Sequence, residues 1–439
     1  MVALMEWKGL NIKEKLQLVA ASLFLVTLPY HREVNQCFMG LFLFSCVWCI
    51  NRISWRDNKK AILIFISVYL AALISTIYDP GRDSAYKVLE IQLSLLLVPL
   101  LFGAGYRRTV FKDNVIRIAF ITGTCSALLY LLVYFIVHMR SLHLPVAAWL
   151  KEEYLNHHYS KPIDIHAGFF SCYVSLCFFI LVIYLTKVRY WITKMLLLLL
   201  ILLCVVSLFL LTSRSVIILT FISLLCMLVS GIRRVKWYFS VTAGLATVLL
   251  LYFFTTRSNY FEERFTDKLD QDVKFSELNK TLEDGRSVPM DSLLKNDGSR
   301  IERWVAAIEL IKKRPLLGYG TGEEKPQLYR QYREMGLTVT LEQRYDSHNQ
   351  FLAFAIKSGV LGFLSFTGML LFAFVHAIRH RNYLYISFLL LSTGISLVDN
   401  YLEVNKGIFF FAFFNIFLFM TSGPPRKPMT GSKPTLAVV

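Results

Sequence analysis

His348 follows Asp346-Ser347 and opens a long apolar stretch, so it stands where a polar segment meets a hydrophobic helix. A helix N-terminus carries positive potential, which favours the neutral imidazole that can accept a proton, while Asp346 beside it pulls the other way. With Ser347 as the expected N-cap, such a histidine can serve as a general base; one that only caps or packs would have the same neighbours. Arg214, in Thr212-Ser213-Arg214-Ser215, lies in a connection so short that its guanidinium is held at the common end of two apolar runs. Its planar fork can donate two parallel charge-assisted hydrogen bonds to a phosphate, although an arginine snorkelling from a span end looks the same in sequence. Arg300 and Arg303 are one helical turn apart with Trp304 beside them. Arg300 at a helix N-terminus suits an anion, and a solvated helix face is the plainer alternative. Gly318-Tyr319-Gly320 lacks the Lys-Ser/Thr of a phosphate-binding loop and reads as a turn. Lys357 should lie about 13 Å deeper than His348 and on roughly the opposite helical face, outside its site. The scattered Asp and Glu of the polar region pair numerically with its Lys and Arg and it holds no HxxxH set, so neither a metal-dependent mechanism nor a cofactor is expected.

The elements that must position these residues follow from composition. At 439 residues, 55% hydrophobic and only 18% charged, the chain is too apolar for a soluble protein of its size. Runs such as Met195 to Leu211 are apolar on every side and long enough to span as helices, which excludes a strand-built barrel. The expectation is an all-α polytopic membrane protein with about twelve spans. They fall near residues 16–30, 36–50, 60–78, 88–103, 115–138, 165–186, 195–212, 215–231, 237–255, 348–375, 383–398 and 407–421. The first apolar run has no cleavage site after it and reads as a retained helix.

The net charge of +17 is a topology signal. Lys and Arg cluster at both termini and in every second connection, as at Arg52/Arg56/Lys59/Lys60 and Arg107/Arg108/Lys112/Arg117, which places both termini in the cytoplasm. The large polar segment 256–347 balances 16 basic against 17 acidic residues, so no nucleic-acid footprint is present. By the same alternation this segment is external, and the chain divides into spans one to nine (1–255), the loop domain (256–347), spans ten to twelve (348–421) and a cytoplasmic tail (422–439). Within the loop, Ser299 and Glu302 have capping-box spacing, and Ile301, Trp304, Val305, Ile308 and Ile311 recur at helical intervals, predicting an amphipathic helix over about 300–313 that stops before Pro315. The eight cysteines all fall in apolar segments and are expected as free thiols, with Cys46 and Cys49 packing rather than ligating.

Thr212-Ser213-Arg214-Ser215 opening a span, Gly298-Ser299-Arg300 with Trp304, Pro315-Leu316-Leu317-Gly318-Tyr319-Gly320, and His348-Asn349 followed by Leu352 and Gly359-Val360-Leu361-Gly362 together resemble the O-antigen ligase family, whose superfamily also includes O-antigen polymerases. The resemblance covers residues from about 165 to 375. It implies a GT-C-like glycosyltransferase of the bacterial inner membrane, with its site facing the periplasm. Such an enzyme moves a polysaccharide from undecaprenyl pyrophosphate to a sugar hydroxyl of lipid A-core, without metal, nucleotide sugar or other cofactor. Carried over residue by residue, His348 would be the base and Arg214 and Arg300 would hold the pyrophosphate, with Arg303, His166 and Asn349 as secondary candidates. Lys357 departs from the family pattern, in which an acidic residue often stands two before the glycine. A polymerase, with a second carrier-linked glycan as acceptor, is the alternative within the class. A transporter of a lipid-linked or anionic solute is the alternative outside it, disfavoured because charged residues within the spans are scarce.

Overall fold

The computed structural model describes residues 2–145, 149–231 and 298–423. The expected span at 237–255, most of the first half of the polar segment and the C-terminal tail lie outside the described residues. Among the described residues the architecture is helical throughout, with no strand. The longer helices are α1 (Val2–Gly9), α2 (Ile12–Thr27), α3 (Arg32–Cys49), α4 (Arg52–Ser75), α5 (Arg82–Gln92), α6 (Ser94–Gly105), α7 (Val110–Ser141), α8 (Ala167–Leu185), α9 (Trp191–Leu211) and α10 (Arg214–Gly231). After the gap come α11 (Arg300–Lys313), α12 (Glu324–Glu334), α13 (Gln350–Arg379), α14 (Tyr383–Val398) and α15 (Asn405–Met420).

Five of these, α4, α7, α8, α9 and α13, are long and apolar enough to cross a membrane, and the pair α5 and α6, bent by 42°, makes six if counted as one span. The expected count of twelve is larger because α10, α14 and α15 are shorter apolar helices, and α2, at 16 residues, extends only roughly 24 Å. Exposed Leu63, Leu70, Leu129, Val133, Leu199, Leu202, Leu364 and Leu371 give the bundle an apolar outer belt that suits lipid rather than water.

The hub of the bundle is α15. From Lys406 to Leu418 every residue is buried, which is what a helix apolar on all sides requires. Its phenylalanines take partners from several helices: Phe413 meets Phe24, Phe42 and Phe102 at centroid distances of 5.7, 5.6 and 5.3 Å, and Phe414 meets Phe120 at 4.6 Å. Each is an offset or edge-on arrangement of the kind that adds to plain area burial.

Helix α13 is broken. Ser358 and Gly359 have non-helical torsions, with Gly359 at φ +57°, and the carbonyls freed by the break are satisfied from outside the helix. Tyr319 and Gly320 donate their N–H groups to the oxygens of Ile356 and Lys357, both at 2.9 Å, and Val360 N–H donates to Pro315 O at 2.9 Å. The Pro315–Gly320 segment, which reads in sequence as a simple turn, is therefore the strap that seals this break. Its glycines are required by contact: a Cβ on Gly318 would meet Ile356 O at 2.5 Å, and one on Gly359 would overlap Leu316 O. Hydroxyls fasten the same point to α4, through Ser75 to Ser358 at 2.8 Å and Ser75 to Thr321 at 2.6 Å. Residues Ala353 to Gly359 are enclosed by protein, whereas Val360, Leu361, Phe363 and Leu364 are exposed. The lipid-facing part of α13 thus begins after the break, and residues 360–379 still reach roughly 30 Å.

Candidate active site

The expected helix over about 300–313 forms as α11, Arg300–Lys313. Its expected capping box does not. Ser299 makes no side-chain cap, and the Glu302 carboxylate instead accepts from Gly298 N–H at 3.1 Å and from the Thr340 hydroxyl at 2.9 Å, tying the start of α11 to the segment before His348. Arg303 is buried on the same turn. It donates to Gly298 O at 2.8 Å, and its guanidinium lies 4.1 Å over the Tyr345 ring. Arg303 lies within electrostatic reach of Arg300 and Asp346.

His348 precedes α13 instead of occupying its first turn, and the cap is Asn349, not Ser347: the Asn349 side chain accepts from Phe351 N–H at 3.0 Å and Leu352 N–H at 3.2 Å. Ser347 cannot cap because its hydroxyl is committed to Glu324 at 2.7 Å. His348 itself is in the left-handed region at φ +44°, uncommon for a residue with a side chain. Two hydrogen bonds to one carboxylate hold it there: Asp346 Oδ1 accepts from the backbone N–H at 3.0 Å and faces Nδ1 at 2.5 Å. Burial would raise the Asp346 carboxyl, but the hydrogen bond and charge of His348 overcome it and bring it down to about 2. A carboxylate on Nδ1 assigns the proton to that nitrogen and leaves Nε2 as the acceptor, the arrangement a general base needs.

Two further groups share this end of the bundle. His166 immediately precedes α8, with Nε2 3.7 Å from Asp399 Oδ2 and its ring tilted by 56° against His157 at a centroid distance of 4.2 Å. Burial, with the nearby charges of His348 and Arg300, lowers His166 to about 4 and keeps it neutral. Asp399 ends α14; burial raises its carboxyl, with His348 and Arg300 acting in opposition. His348, His166, Arg300, Asp346 and Asp399 therefore lie within electrostatic reach of one another. Arg214 opens α10, directly after the left-handed Thr212, and is half-buried. Helix α10 packs against α14, with Leu219 lying on Gly394.

Beneath the His348 turn lies a buried ionic network that sequence reading placed outside the site. Lys357 bridges Glu403 at 2.6 Å and Glu324 at 3.3 Å. Glu324 also receives Ser347 and, at 2.9 Å, the Asn400 amide, while Gln350 reaches Glu403 at 3.3 Å. Lys357 does not touch His348, but it neutralises the carboxylate that clamps the residue next to it. Asp399, Glu324 and Glu403 carried no sequence signal beyond being acids near span ends. Elsewhere, Cys125, Cys177 and Cys204 bring three buried thiols within 4.8 Å of one another, a ligand-like grouping invisible in sequence because it draws on three helices. All eight cysteines are free.

Residues 199–367 match the family model described as O-antigen ligase, an interval that contains Arg214, Arg300, the Pro315–Gly320 strap, His348 and Gly359. No curated protein matches the chain closely enough to be named as a relative. The match supports a membrane-embedded, glycosyl-transferring protein of the ligase or polymerase type acting in a lipid-linked glycan context. Over residues 199–367, the chain is similar to the O-antigen ligase family.

Proposed function

We propose that this protein is an O-antigen ligase of the bacterial inner membrane, which transfers O-antigen polysaccharide from undecaprenyl pyrophosphate to a sugar hydroxyl of lipid A-core at the periplasmic face. The observation that carries the reading is the Asp346–His348 pair set beside the Arg300 charge at one end of the bundle. His348 Nε2 takes the proton of the acceptor hydroxyl as its oxygen attacks the anomeric carbon of the donor sugar. The bond from that carbon to the phosphate oxygen breaks, and undecaprenyl pyrophosphate leaves with the electron pair. Arg300 and Arg214 bind that diphosphate and stabilise the charge it gains, and His348 then releases its proton to solvent. Arg303 and Asn349 hold the geometry, and His166 stays neutral alongside.

A lipid diphosphate is already a good leaving group, so a base and fixed positive charge suffice. The reaction is tested with purified full-length protein, a glycan on undecaprenyl pyrophosphate and lipid A-core. Glycan-bearing lipid A-core and free undecaprenyl pyrophosphate should appear together, and the yield should survive excess EDTA. Transfer to a second carrier-linked glycan instead of lipid A-core would make the protein a polymerase.

A further inference from the structure

Beside His166, which also reaches Asp399, a cavity of about 250 Å³ opens between the starts of α3, α8 and α15 and the end of α5. Its polar lining comes from Arg32, Asp164, His166, Glu403, Asn405 and Lys406, and its apolar lining includes Phe169 and Val404. The charges balance. Lys406 Nζ is anchored by the oxygens of Ile163 at 2.7 Å and Asp164 at 2.9 Å, and Glu403 is already bridged by Lys357. A cavity without net charge does not select an anion, which sets it apart from the arginine-bearing side of the cluster. Carboxylates accept from hydroxyl donors, cationic nitrogens donate to hydroxyl oxygens, and a patch of apolar side chains covers a C–H face. That combination fits an uncharged, hydroxyl-rich ring. The volume is below the roughly 300–1,000 Å³ of pockets for drug-sized ligands, so it suits one or two rings and not a lipid chain.

His166 belongs to both places: it lines the cavity and reaches Asp399 in the cluster. Glu403 is likewise shared between the cavity wall and the network beneath His348. We propose that this cavity is the acceptor subsite, holding an uncharged sugar ring of the acceptor next to the ring that bears the reacting hydroxyl, so that this hydroxyl is delivered past His166 to His348. The proposal rests on the transferase reading above and deepens it by giving the acceptor a subsite of its own, joined to the reacting cluster through His166.

The test uses full-length protein in lipid nanodiscs with separate titrations of donor and acceptor. Val404 is 41% exposed at the cavity wall, so Val404→Trp should fill the cavity without disturbing the core. Asp164→Asn removes one acceptor charge while keeping a side chain that tolerates its left-handed backbone, φ +52°. Each variant should raise the acceptor KM about tenfold or more, with the donor KM and the rate at saturating acceptor within about twofold of wild type. A raised donor KM with an unchanged acceptor KM would overturn the assignment, and so would variants that change neither. A delipidated, dephosphorylated core oligosaccharide should also bind wild type and bind Val404→Trp about tenfold more weakly, a readout that needs no turnover. If wild type binds this oligosaccharide but transfers nothing, the transferase reading fails and the subsite stands; if it transfers but both variants bind and turn over as wild type, the subsite alone fails.

Discussion

Asp346 takes both the backbone N–H and the Nδ1 of His348, at 3.0 and 2.5 Å, so one carboxylate fixes the backbone conformation and the proton position of the same histidine. Asp346→Asn should therefore lower kcat by about 10²–10⁴, the usual range for losing an oriented acid–base group, with little change in donor binding. The pH dependence has a definite sign. The folded carboxyl is depressed to about 2 from an ordinary 3.8, so its contribution to stability is present above the ordinary value and lost only as pH falls through about 2. Thermal unfolding of wild type should therefore show no loss of this contribution between pH 7 and pH 4, and its onset should appear only in more acidic buffers.

Arg300 and Arg303 should separate cleanly in assay. Arg300→Ala should cost about 10²–10³ in kcat, as expected for one lost charge donor at a leaving group, while the protein melts as wild type. Arg303→Ala removes the guanidinium stacked on Tyr345 and bonded to Gly298 O, and should lower the melting temperature in detergent together with activity. Arg214→Lys should recover little of what Arg214→Ala loses, because the bidentate fork is absent from lysine.

Lys357→Met leaves Glu324 and Glu403 facing each other in the buried network, and should destabilise the protein by about 3–5 kcal/mol. The double variant Lys357→Met with Glu403→Gln should recover a good part of that loss, because burial already raises the Glu403 carboxyl toward its neutral form. Thermal unfolding of the two single variants and the double variant measures the coupling.

Gly359→Ala places a Cβ against Leu316 O at a residue whose φ is +57°. The strap would have to leave the break in α13, so the variant should lose at least about 2 kcal/mol and fold poorly, whereas Gly368→Ala, with open space around it, should be neutral or slightly stabilising.

What was legible in sequence divides along the range of the interactions. Helix α11 falls where its period and the stop before Pro315 put it, because those signals act within one or two turns. The positions of α7, α8 and α9 follow from unbroken apolar runs for the same reason. The break in α13 was hidden, since Ser358-Gly359 inside an apolar run costs little sequence signal and its meaning comes from a strap 40 residues earlier. The cap at Asn349 was misplaced by two residues because Glu324, distant in sequence, captures the Ser347 hydroxyl. His348, Arg214 and Arg300 could be singled out by type and setting, but Asp399 could not, because its significance is its distance to His166 on another helix.

The proposed orientation has its own check. In a background without native cysteines, Glu334→Cys on α12 should label with an impermeant reagent in cells whose outer membrane is permeabilised, and Lys8→Cys should not. The opposite pattern would invert the topology.

The most direct test of the central claim is the lipopolysaccharide profile of a strain lacking this protein, complemented with wild type or His348→Ala. Wild type should restore full-length polymer on lipid A-core, and His348→Ala, expressed and inserted normally, should leave lipid A-core bare while polymer accumulates on undecaprenyl pyrophosphate. Restoration by His348→Ala would contradict the general-base assignment, and lipid A-core capped with a single repeat unit in the deletion strain would show that polymerisation, not ligation, was the step lost.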